Sequence, residues 1–302
     1  MLKPPAVRPQ ATVGIVATSS PVRAEFVDRG VAELSRLGFR ARLGSRLFAR
    51  DRYTAGTVTD RLADWNELWR DPEVAAIFCA RGGYGALHLL AALSVDEIRS
   101  QPKVVLGSSD ITALLAFLGG PASLVAFHGP MVAQQIARGD YDRESLTALL
   151  GSSEPFGLMR SDTLEILHGG ACEGTLAGGC LSLVTSMVGT PYLLDFEDVL
   201  LFLEDADVKP YQIDRMLTQL RLSGRLERVR GIVFGQMPGC QQHPQQGYTL
   251  QEMLRDWTAR LRVPVAFGFP SGHTVTPAMT LPLGVRARLD KEGLSILEGA
   301  VR

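Results

Sequence analysis

Four short apolar runs, TVGIVA (12–17), VAAIFCA (74–80), KVVLG (103–107) and SLVAF (123–127), constrain this chain more than any other feature. Each stops at a Gly-, Ser- or His-containing loop, and helix-period segments lie between the first three. Near-continuous apolar strands alternating with amphipathic helices are the pattern of a parallel sheet covered on both faces, in which every strand is buried on two sides. Val27, Val31, Leu34 and Leu37 mark one such helix, which Gly38 ends. Thr57 with Asp60 spells a capping box before Val58, Leu62, Trp65 and Trp69, and Pro72 lies just beyond that helix. ALHLLAAL after RGGYG reads as a further helix. The expected fold class is α/β, with a doubly wound N-terminal sheet whose ligands bind at the carboxyl ends of its strands.

From about residue 138 the periodicity weakens through RGDYDRES and GSSEPFG, so residues 1–150 form the expected first domain and 151–169 a linker. Residues 170–302 form a second α/β domain. It contains glycine-rich ACEGTLAGGC, the strand VLLFLE (199–204), the helix YQIDRMLTQLRLSG, the strand GIVFGQM, a helix over 249–261 and alternating strand-like segments to the end.

A net charge of −1 over 302 residues gives no field to attract nucleic acid or an anionic membrane, so the expected partner is small or peptide-like. The N-terminal residues lack the apolar core of a signal peptide and no apolar run reaches bilayer length, which reads as cytoplasmic. Cys79, Cys172, Cys180 and Cys240 form no CxxC pair and the five histidines no HxxxH or HxH pair, so neither a disulfide framework, a metal nor a cofactor is expected.

Chemistry is concentrated at loops that follow strands. In VVLGSSDITALL (104–115) a serine stands between a strand and a helix, where a sharp turn exposes its oxygen and the helix amides can receive an oxyanion. Ser109 is better placed than Ser108, since Asp110 and Ile111 begin the helix. Ser, Asp and Thr are also preferred N-caps, and capping is the commoner outcome at such turns. The base is either His273, on the constrained loop FPSGHTV, or His128, directly after SLVAF; from the residues alone they stand level. Glu204 ends a buried strand, where a carboxylate requires a partner: an imidazole it orients, or an arginine such as Arg215. RGGYG (81–85) lacks the spacing of a nucleotide fingerprint, but its paired glycines permit close backbone approach to an anion, or form only a turn.

YTAGTVTDRLADW, IFCARGGYGALHLL, GSSDITALL, FHGPM, GGCLSLVTSMVGTPY, LFLEDADVKPYQIDRMLTQL, GIVFGQM and FPSGHT, in this order, resemble the LD-carboxypeptidase family of serine peptidases, which includes the microcin C immunity peptidases. The resemblance implies an N-terminal glutamine-amidotransferase-like sheet and a C-terminal domain with a mixed, barrel-like sheet. It implies a triad of Ser109, Glu204 and His273, with an oxyanion hole from the amides of Gly83 and Asp110; His128 then takes a supporting role. Arg81 becomes a candidate for the substrate carboxylate, or for a structural salt bridge.

The implied reaction is release of the terminal D-alanine from a murein tetrapeptide, free or attached to a muropeptide or to UDP-MurNAc, by a cytoplasmic homodimer. The alternatives are a self-immunity peptidase cleaving a peptidyl or aminoacyl nucleotide, for which only Trp257 stands near FPSGHT as a stacking aromatic, and a silent binding protein. An amidotransferase-like enzyme with Cys79 as nucleophile is a further reading, although Cys79 is better explained as core. Family members usually carry an aromatic residue where this chain has Ser108, which leaves the packing of the turn open.

Overall fold

The computed structural model describes residues 1–193 and 195–302. The first sheet contains β1 (Thr12–Val16), β2 (Arg40–Leu43), β3 (Val74–Cys79), β4 (Val104–Gly107) and β5 (Ala126–His128). The second contains β6 (Gly157–Met159), β7 (Glu165–His168), β8 (Cys172–Cys180), β9 (Val199–Glu204), β10 (Gly231–Gly235) and β11 (Val265–Phe269). Then β12 (Leu281–Leu283) returns to the first sheet, and β13 (Arg286–Asp290) and β14 (Gly293–Ile296) finish the second. The helices are α1 (Ala24–Arg36), α2 (Val58–Arg70), α3 (Val95–Ser100), α4 (Thr112–Gly119), α5 (Arg143–Gly151), α6 (Leu181–Ser186), α7 (Pro210–Leu222) and α8 (Leu250–Thr258).

The first sheet runs β12-β5-β4-β3-β1-β2, parallel except for β12. This is the flavodoxin-like doubly wound order, whose switch point lies between β1 and β3. The loops after β1 and β3 therefore border a crevice at the carboxyl edge. The helices form as their sequence dictates: Thr57 and Asp60 close the capping box of α2, and Trp65 and Trp69 stack 5.3 Å apart beneath it at 1% and 0% exposure. Truncating either ring would cost about 3–5 kcal/mol.

The second sheet, β6-β14-β13-β8-β9-β10-β11-β7, is mixed and curls into a half-barrel around the parallel strands β8 to β11. Its central strand β8 is the glycine-rich CEGTLAGGC. A Cβ on Gly178 (φ +127°) would stand 1.9 Å from Phe202 O, so only glycine lets β8 lie this close to β9.

Three segments differ from the sequence reading. Residues 151–169 are not a free linker, since β6 and β7 within them join the second sheet. ALHLLAAL forms a 3-10 turn (Ala86–Ala92) instead of an α-helix, and its N-cap Gly85 has φ +124°. SLVAF becomes the three-residue β5, displaced so that His128 lies inside the strand. One continuous hydrophobic cluster joins Val13, Ile77 and Val105 of the first sheet to Leu200, Val233 and Leu294 of the second.

Candidate active site

The serine turn follows β4. Ser108 is 1% exposed in extended backbone (φ −147°) and its side chain makes no capping bond, whereas Ser109 has φ +60°. The left-handed region is costly for a residue with a Cβ, by about 1–3 kcal/mol, and such strain concentrates where a side chain must be aimed. Ser108 is therefore packed inside, and Ser109 is the serine that the turn presents. The turn's first hydrogen bond runs from Ile111 N–H to Ser108 O (3.1 Å), which leaves the Asp110 amide among the free donors of a helix start.

The RGGYG loop lies directly against this turn. A Cβ on Gly82 would stand 2.8 Å from Ser109 Cβ, 3.0 Å from its Oγ and 3.4 Å from Asp110 N, so the first glycine is required for the approach. Gly83 follows with φ +115° and is exposed. The Asp110 carboxylate fastens the assembly from behind: Oδ2 accepts bonds from Ser19 Oγ (2.5 Å) at the end of β1 and from Ala86 N–H (2.8 Å) after the loop. Arg61, 3% exposed, donates through Nη1 to the carbonyls of Thr18 (2.7 Å) and Gly85 (2.8 Å). Sequence reasoning missed Arg61; the only signal was a cation inside TVTDRLADW, beside an otherwise apolar helix face.

The second sheet delivers the acid and the base. Cys180 N–H donates to Thr112 Oγ1 (3.0 Å), which ties the end of β8 to the serine turn, and Cys180 is in register with Glu204. Glu204 is 0% exposed, and its Oε2 accepts from His273 N–H (2.9 Å) and pairs with His273 Nδ1 (2.7 Å). Burial alone would raise this carboxyl, but the His273 charge, the His273 hydrogen bonds and the nearby His128 imidazole outweigh it and hold it well below the usual carboxylate range. Burial likewise opposes the charge on His273, yet Glu204, with Asp205 and Asp207 beyond it, raises the imidazole to about 9. The arginine alternative for Glu204 is not realised, since Arg215 lies exposed on α7.

Gly272 explains the GH motif. It has φ +82°, and a Cβ there would stand 2.5 Å from Glu204 Cδ and 2.7 Å from His128 Cε1. The structure thus brings Glu204, His273 and His128 together; Ser109 approaches through the Thr112–Cys180 link but makes no hydrogen bond to His273 among the described residues. Catalytic hydrogen bonds commonly tighten only when substrate is bound.

Arg81 forms no salt bridge among the described residues; its Nη1 donates to Pro21 O (3.2 Å) in a cleft shared with Arg23, Gln134 and Arg138. Burial pushes the Cys79 thiol up to about 12, which removes it as a nucleophile. Trp257 is 5% exposed beneath the Arg260 guanidinium and offers no stacking face. Among the described residues no group of three or more His, Cys, Asp or Glu side chains is placed to hold a metal ion, and no helix is long and apolar enough to cross a membrane.

An α/β sheet that presents a serine on a strained turn, joined to a half-barrel bearing a buried carboxylate–imidazole pair, is the frame of a serine peptidase. The chain belongs to the LD-carboxypeptidase family: the family's N-terminal domain matches residues 13–129 and its C-terminal domain residues 173–289. A probable murein peptide carboxypeptidase of Bacillus subtilis is 36% identical over 99% of this chain and 95% of its own. The crystal structure of muramoyltetrapeptide carboxypeptidase from Oxalobacter formigenes, 30% identical, superposes with a TM-score of 0.84 over 95% of this chain and 99% of that one. The microcin C7 self-immunity protein MccF in complex with aspartyl sulfamoyl adenosine, 25% identical, superposes with a TM-score of 0.93 over the whole of both chains.

Proposed function

We propose that this carboxypeptidase hydrolyses the amide that joins the terminal D-alanine to an L-configured centre in murein tetrapeptides, through an acyl-enzyme on Ser109. His273 takes the hydroxyl proton as Ser109 attacks the carbonyl. Glu204 holds the imidazole and stabilises its cation, and the Gly83 and Asp110 amides receive the oxyanion. His273 then returns the proton to the leaving amine of D-alanine, and water, activated by the same base, releases the shortened peptide. Arg81 pairs with the substrate carboxylate in this scheme. The enzyme acts on cytoplasmic peptides and works as a homodimer.

The observation that carries the reading is the 2.7 Å Glu204–His273 pair at the end of β9, in a chain whose first sheet presents a serine at φ +60°. The peptide bond is the natural object of such machinery, and the Bacillus subtilis and Oxalobacter formigenes relatives carry murein peptide names.

A second reading, cleavage of a peptidyl or aminoacyl nucleotide, is favoured by the higher superposition with MccF bound to an aminoacyl nucleotide analogue. The buried Trp257 counts against it, because it cannot stack on a base.

Mass spectrometry of products from tri-, tetra- and pentapeptides carrying lysine or diaminopimelate tests the proposal. Loss of one D-alanine from the tetrapeptide is the expected result, with turnover falling at least about 10³-fold in Ser109→Ala. Wild-type cleavage of an aminoacyl sulfamoyl nucleotide with no tetrapeptide turnover would transfer the assignment to the second reading, and full activity in the alanine variant would end the mechanism.

A further inference from the structure

Glu204 has two imidazoles, and the mechanism uses one. The other, His128, is 0% exposed, and its Nε2 faces Glu204 Oε1 at 3.6 Å. Each of these two buried atoms lacks any other hydrogen-bond partner. On the far side of the ring, Nδ1 lies 3.0 Å from the hydroxyl of Ser271, itself 0% exposed and two residues before His273. The Phe202 ring meets the imidazole edge to face at 5.2 Å, and the backbone of His128 pairs with Gly107 on one side and Leu281 on the other. The opposite wall is Gly272, which has no room for a Cβ. Nothing in this setting lets the ring turn away.

The chemistry of the facing atoms fixes where the proton sits. An ionised carboxylate only accepts, so a bare Nε2 would set one lone pair against another in a site without water exposure. The hydrogen therefore belongs on Nε2; in the neutral ring Nδ1 is then the acceptor, and the Ser271 hydroxyl is the group able to donate to it. A closure of about half an ångström would bring Nε2–H and Oε1 to an ordinary hydrogen-bond length.

We infer that His128 is a positioning residue. Its Nε2–H restrains Glu204 Oε1 so that Oε2 stays on His273, and Ser271 selects the tautomer that makes this possible. The inference rests on Glu204 and His273 acting as proposed above. Groups that orient a catalytic pair in this way are worth about 10- to 100-fold in activity when removed, by analogy with the outer partners of metal-bound histidines.

The test uses the full-length protein labelled with ¹⁵N at histidine. Long-range ¹H–¹⁵N spectra separate the tautomers, and single substitutions assign the five imidazoles. His128 is expected in the Nε2–H form, with an Nδ1 shift that moves in Ser271→Ala. A ring protonated on Nδ1 and bare at Nε2 would overturn the inference, whatever the substrate proves to be. In turnover assays His128→Leu should lower kcat about 10- to 100-fold with KM within about twofold, and His128→Gln, which keeps an N–H donor, should recover part of the loss. A folded His128→Leu enzyme with unchanged kcat would also overturn it. Should His128→Leu fail to fold, the tautomer result and the Ser271→Ala kinetics still decide. A correct tautomer in a protein that leaves murein peptides intact would instead reject the substrate assignment alone.

Discussion

Ser109 lies where the backbone is strained and the side chain half-buried; Glu204 lies in a regular strand, wholly buried, with a charge. On the serine side the preparation is conformational, a left-handed φ that costs stability whether or not the hydroxyl reacts. On the carboxylate side the preparation is electrostatic, a desolvated anion kept ionised by histidines. A serine on such a turn can be exchanged for another small residue without unfolding its neighbours. A buried anion cannot be neutralised without disturbing both rings that face it.

Among changes that leave the serine in place, the largest expected effect therefore comes from the charge. Glu204→Gln keeps the shape but leaves an amide beside His273 Nδ1, so turnover should fall by about 10⁴-fold in steady-state assays. A loss under about tenfold would mean that the imidazole is oriented by its backbone bond alone.

The next effect separates activity from stability along the pH axis. In the proposed mechanism His273 must be uncharged to act as base, so kcat/KM should rise about tenfold per pH unit toward the raised pKa of about 9 and then level. Folding stability has the opposite sense. The raised His273 pKa contributes stability fully below its ordinary value of 6.5, lost as pH rises through about 9; the depressed Glu204 pKa contributes stability above its ordinary 4.5, lost as pH falls through the lowered value. Parallel activity profiles and melting curves would expose this opposition, and an activity optimum near pH 6 would contradict it.

The smallest effect tests the strain. Ser109→Gly removes the penalty at φ +60°, and thermal unfolding should show a gain of about 1 kcal/mol in an inactive protein. A loss of stability would show that the hydroxyl contributes more than the turn costs.

Much of the first sheet was legible because its strands are apolar on both faces and its helices carry their own punctuation, as in the Thr57–Asp60 box and Gly38. The second sheet hid its central strand: CEGTLAGGC has poor strand propensity, and its glycines serve the approach to β9, a contact made across distant sequence. β6, β7 and β12 are three or four residues long and are held by long-range pairing rather than by local preference. Within the site, Glu204 declared itself as a charge ending an apolar strand. Its two histidines could not be ranked locally, because what distinguishes their surroundings is the packing of Gly272 against Glu204 and His128 and the contact of Ser271 with His128, all made across distant sequence.

The strand β12 gives the crevice its mechanical character. Leu281, Pro282 and Leu283 come from the C-terminal half yet pair with His128, Phe127 and Ala126 at the edge of the first sheet. The halves are thereby sewn edge to edge beside the site, and a hinge between them would have to tear that seam. That edge of the first sheet is therefore a fixed part of the wall beside the site. Slow hydrogen exchange at the Leu281 and Leu283 amides would be the signature of that rigidity.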